Sequence, residues 1–141
     1  MTRIDFHSNV PDKLLYACRL VRKARGANFQ VVVLAQDAPM LNRFDELLWT
    51  FSDLDFLPHA QSHEPHAAMT PIILTADDEA ELPHRQILVN LSDRTPAAFA
   101  SFERMFEIVS SEENDRALGR ERYRYYKDRG YPLTHFIAEQ S

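Results

Sequence analysis

Glycine is scarce in this chain: only Gly26, Gly119 and Gly130 occur in 141 residues. That scarcity removes both G-x-G-x-x-G and G-x-x-x-x-G-K-[ST], the loops that let a nucleotide phosphate approach the backbone at a helix N-terminus. The first strand-to-helix turn, His7-Ser-Asn-Val-Pro11, contains no glycine at all. Cysteine is scarcer still. Cys18 stands alone, so no internal disulfide can form, and its position within a helix that turns apolar residues to one side suits a core thiol in a reducing compartment. No G-x-S-x-G elbow is present, and no spacing among the acids singles out a catalytic pair. No apolar run approaches the roughly 18 residues of a membrane span, and Met1-Thr-Arg-Ile-Asp-Phe-His7 lacks the basic-then-apolar order of a signal peptide. A soluble cytoplasmic protein without cofactor or metal is expected.

What remains is a chain with 45% hydrophobic residues and a net charge of −5, of the size of one compact domain spanning residues 1–141. Strands and helices are expected to alternate. Residues 2–7 carry Ile4 and Phe6 between Arg3 and Asp5, the period of a strand with one buried face. A helix follows, with Pro11 in its first turn and Gly26 at its end. Gln30 to Leu34 has three consecutive valines and no polar alternation, which marks a strand covered on both faces, as in a parallel sheet.

Asp37 is placed to cap a second helix whose Met40, Leu41, Phe44, Leu47, Leu48 and Phe51 recur at spacings of three and four. Residues 60–70 read as a polar loop. Pro71 to Thr75, Gln86 to Leu91 and Met105 to Val109 read as three further strands, with a short helix over Pro96 to Ser101. Ser110 and Glu113 have the spacing of a capping box opening a last helix, which Gly130 ends. The expected architecture is a single-domain α/β, Rossmann-like, three-layer fold with a mostly parallel sheet of about five strands flanked by helices.

His59, His63 and His66 would share a face only if residues 59–66 were helical, which Pro58 and Pro65 disfavour. The last helix is more informative. Residues 116–130 hold six Arg/Lys against Glu121 and Asp128, so this segment is +4 in a chain of −5. At 100° per residue Arg116, Arg120, Tyr123, Arg124 and Lys127 fall within one arc, while Leu118 and Tyr125 point elsewhere. A charged stripe alone fits a solvated face. An aromatic ring inside it also fits a pocket for a carboxylate or phosphate, since arginine presents a fork to such groups. Two other classes share these features: a direct single-stranded nucleic-acid binder, with tyrosines stacking on bases, and a Rossmann-like nucleotide-binding enzyme.

Three blocks make the chain resemble the chi subunit of bacterial DNA polymerase III holoenzyme. They are Phe44-Asp-Glu-Leu-Leu-Trp-Thr-Phe51 running into Phe56-Leu-Pro-His59, Ile87 to Leu91 with Phe102 to Val109, and Arg120-Glu-Arg-Tyr-Arg-Tyr-Tyr-Lys-Asp-Arg-Gly-Tyr131. The resemblance implies a non-catalytic hub of DNA replication. One surface would bind the acidic, phenylalanine-terminated tail of single-stranded DNA-binding protein, and another the psi subunit that tethers chi to the clamp loader. It places the tail pocket on Arg120, Tyr123, Phe56 and Val109, with Arg124 standing where lysine is common. The charges of Arg120, Arg124 and Lys127 suit a terminal carboxylate and upstream aspartates.

Overall fold

The structure is a computed structural model and describes residues 1–51 and 57–138. Among the described residues seven strands form one sheet: β1 (Arg3–Val10), β2 (Val31–Leu34), β3 (His59–Gln61), β4 (Ile72–Thr75), β5 (Ile87–Asn90), β6 (Arg104–Ser110) and β7 (Leu133–Ile137). Their spatial order is β3-β4-β2-β5-β6-β1-β7, and every pairing is parallel. Helices α1 (Lys13–Gly26), α2 (Ala38–Thr50) and α3 (Glu113–Asp128) complete it. The α/β class holds. The sheet has seven strands instead of about five, and the two extra strands, β3 and β7, are its edges.

The five expected strands are the inner ones, since a strand between two neighbours and two helical layers is covered on both faces and is therefore mostly apolar. Val31 to Leu34 are all buried, Val31 and Val33 on the side of α1 and α2, and Val32 and Leu34 on the side of α3. β1 also lies inside the sheet, between β6 and β7, which is why it extends to Val10 and buries residues on both faces. A register shift between His7 and Val10, with Asn9 at φ 58°, interrupts its end. In place of the short helix over Pro96 to Ser101 there is a single 3-10 turn, Phe99–Ser101, and a second such turn, Ala67–Met69, lies in the segment expected to be loop.

The helix ends follow the chemistry of short polar side chains. Asp37 Oδ1 accepts the Met40 N–H at 2.9 Å, as expected, whereas Asp12 rather than Pro11 sets the start of α1 by accepting the Leu15 N–H at 3.2 Å. The Ser110/Glu113 capping box does not form. Because α3 begins at Glu113, that glutamate is in the first position of the helix, too early to reach back. Asp115 does so instead, taking the Ser110 N–H at 2.7 Å and Lys13 Nζ at 3.2 Å. Burial works to raise the Asp115 carboxyl, but these two donors outweigh it and hold the group below the usual carboxylate range. At the other end Gly130, at φ 80°, lets the Tyr131 N–H return to the Tyr126 carbonyl at 3.2 Å and stops the helix. No helix among the described residues is long and apolar enough to cross a membrane.

Candidate peptide-binding groove

Between α3 and the β6-β1-β7 edge of the sheet runs a groove of about 660 Å³. Arg116, Arg120, Tyr123, Arg124 and Lys127 line it from α3, Val109 from β6, Phe6 and Ser8 from β1, and His135 from β7. Gly119 sets its depth. A Cβ there would lie 2.9 Å from both methyl carbons of Val109, so only glycine lets α3 close onto β6. The helix is thus held down on one side while its cationic arc faces the groove.

The aromatic wall is built across long sequence separations. Tyr123 meets Phe6 edge-on at 5.0 Å between ring centroids and lies 6.2 Å from the His135 ring, which is bonded at 2.7 Å to the Ser8 hydroxyl. Arg116, Arg120, Arg124 and Lys127 are exposed, and among the described residues none makes an ion pair or side-chain hydrogen bond. Four unspent cations beside a half-buried tyrosine can hold an anionic, partly apolar ligand. Of the residues proposed from sequence, the structure brings Arg120, Tyr123, Arg124, Lys127 and Val109 around one opening. Phe56 lies outside the described residues; Leu57, after it, is buried in the cluster on the α1 and α2 face and leads into β3.

Sequence reasoning missed the group that seats the helix. Glu107, wholly buried in β6, accepts Arg122 Nε at 3.1 Å and the Tyr126 hydroxyl at 2.6 Å on Oε2, and Asn90 Nδ2 at 2.9 Å on Oε1. Arg122 also donates Nη1 to the Asp93 carbonyl at 2.9 Å. Burial, together with the Glu107 charge, raises the Tyr126 phenol well above its ordinary value, so it stays a donor. The available signal was a lone charge, Glu107, inside the apolar run Met105 to Val109, which calls for a buried partner.

The other candidates have different work. His59 is buried, with Nδ1 2.7 Å from the Leu57 carbonyl, Nε2 2.8 Å from Asp45, and Trp49 packed 4.0 Å from its ring. His66 pairs with Glu64 at 3.5 Å, and the described residues contain no cluster of three metal-type side chains. Cys18 is buried, which pushes its thiol up to about 12 and leaves it without thiolate character. At the carboxyl ends of the strands, where a nucleotide would sit in such a sheet, Lys13 is already bound to the Leu91 carbonyl at 3.0 Å and to Asp115.

Fold and groove together define a parallel α/β protein with a cationic, aromatic-walled groove on its last helix. The sequence matches the family described as DNA polymerase III chi subunit, HolC, over residues 1–134. It is 34% identical over 137 residues to DNA polymerase III subunit chi of Pseudomonas aeruginosa, covering 94% of each chain. The same-named proteins of Haemophilus influenzae and Escherichia coli are 26% and 24% identical over 118 and 117 residues, covering 84% and 83% of this chain and 82% and 80% of theirs. The chain belongs to the DNA polymerase III chi subunit family, a family of subunits of the replicative polymerase.

Proposed function

We propose that this protein is a non-catalytic accessory subunit that links the clamp loader, through psi, to single-stranded DNA-binding protein, and that the α3 groove takes the acidic tail of that protein. The observation that carries this reading is the set of four cations, unpaired among the described residues, around a groove walled by Phe6, Val109 and Tyr123. Arg120 grips the terminal α-carboxylate, Arg124 and Lys127 face the upstream aspartates, and the terminal phenylalanine ring packs on the apolar wall. Phe56 belongs to this site by resemblance alone. Burying one phenyl ring contributes about 2 kcal/mol, against the roughly 8 kcal/mol of a micromolar complex. Coulomb attraction supplies much of the difference, so binding weakens as salt rises. The protein works in the cytoplasm and reaches DNA only through its partner.

Direct binding of single-stranded DNA is the competing reading, and the placement of Tyr125 counts against it. That tyrosine is exposed but already covered by the Arg129 guanidinium, 3.5 Å from its ring centroid, which takes up a face that a base would need. A pull-down with intact single-stranded DNA-binding protein and with a version lacking its tail tests the proposal. Capture of the intact form alone is expected. Equal capture of both, or tight binding of naked single-stranded DNA, contradicts it.

A further inference from the structure

The two edges of the sheet are treated differently. β3 is three residues long, and the N–H that Gln61 turns away from the sheet is taken by Glu64 Oε1 at 2.9 Å, while the Gln61 side chain is tied to Asp45 at 2.9 Å. That edge is short and covered. β7 is five residues long, Leu-Thr-His-Phe-Ile, with Phe136 45% and Ile137 69% exposed. It contains no Lys, Arg, Asp, Glu or Pro, the residues that usually blunt an open edge.

Its hydrogen bonding to β1 fixes which groups are open. The Ile4 N–H goes to the Pro132 carbonyl at 3.0 Å and the Ala138 N–H to the Ser8 carbonyl at 2.9 Å, with Ile4 opposite Leu133 in a parallel register. In such a ladder alternate residues bond to the same neighbour, so Thr134 and Phe136 face β1. Leu133, His135 and Ile137 therefore turn their N–H and C=O groups to the open edge. His135 is at once one of these outward residues and a wall of the α3 groove.

We propose that β7 receives an extended acidic peptide segment as an eighth strand, continuous with the groove, so that the ligand is held by backbone pairing along β7 as well as by the cations of α3. The proposal rests on the groove reading above and adds the mode of recognition. An added strand satisfies the open edge groups without demanding a particular side-chain sequence, while the groove reads charge and the terminal ring. The charges choose the occupant. Two-fold pairing of β7 with β7 of a second copy would bring both sets of Arg116, Arg120, Arg124 and Lys127 to one face of a single seam, where they repel, whereas acidic side chains beside that edge are attracted.

The test is amide hydrogen exchange by NMR on the full chain, with and without a saturating synthetic acidic peptide ending in phenylalanine with a free carboxylate. The peptide is expected to slow exchange at Leu133, His135 and Ile137 about tenfold, with little change at Thr134 and Phe136, which are already bonded to β1. Ile137→Pro removes an outward N–H without touching a β1 bond and should weaken binding about three- to tenfold, whereas Ile137→Ala keeps the N–H and should stay within about twofold. Arg120-dependent binding with unchanged exchange overturns the added strand and leaves the groove reading standing. No binding at all overturns both. Slowed exchange that tracks protein concentration without peptide means a second copy covers the edge, and also overturns the proposal.

Discussion

Arg120 and Arg122 stand two residues apart on α3 and end in opposite surroundings. Arg120 is exposed on the groove with no partner among the described residues, whereas Arg122 is 3% exposed and spent on Glu107 and the Asp93 carbonyl. Helical phase makes the difference: Gly119, Arg122 and Tyr126, spaced by three and four, form the stripe that faces the sheet, while Arg116, Arg120 and Lys127 form the one that faces the groove. One arginine holds the seat of the helix, and the other, without a partner among the described residues, stays open to solvent on the groove. A count of positive charges along the segment treats them as equal, although only the exposed set contributes attraction outside the protein.

Breaking the buried side should have the largest effect. Arg122→Ala leaves the buried Glu107 without its main partner and should lower stability by about 3–5 kcal/mol, read as a fall in denaturant midpoint. Tyr126→Phe removes one donor to Glu107 and should cost about 2 kcal/mol by the same measurement. A third effect is set by pH. Burial, helped by Arg104 and opposed by Asp5, lowers the His7 imidazole from 6.5 to about 4. The unfolded chain therefore binds a proton that the folded chain refuses between these values, so Tm should decline as pH falls from 6.5 towards 4, and His7→Gln should flatten that slope. Smallest of all, Arg120→Ala should leave stability within about 0.5 kcal/mol of the parent protein, since no side-chain bond among the described residues is lost. A large destabilisation by Arg120→Ala would erase the contrast with Arg122.

The parts that could be read in advance are those encoded by local patterns. Central parallel strands such as Val31 to Leu34 show as unbroken apolar runs because both faces are covered. The cationic arc of α3 shows because it lies within one helix. β3 and β7 were not legible: one is three residues long, and the other is an edge strand whose exposed residues need not be apolar or alternate. The far wall of the groove was hidden for another reason. Ser8 and His135 meet across 127 residues of sequence, and only the placement of β1 beside β7 brings them together. Glu107 and Arg122 could have been paired, since each is a charge on an otherwise buried stripe.

The α3 groove is tested most simply by a fluorescence-polarisation titration of the acidic, phenylalanine-terminated tail peptide against the parent protein and Arg120→Ala, with folding of both checked by thermal melts. The parent should bind with a near-micromolar Kd, weaker at high salt, and Arg120→Ala should lose about a hundredfold at unchanged Tm. Equal affinity of the two proteins would contradict the assignment of the groove.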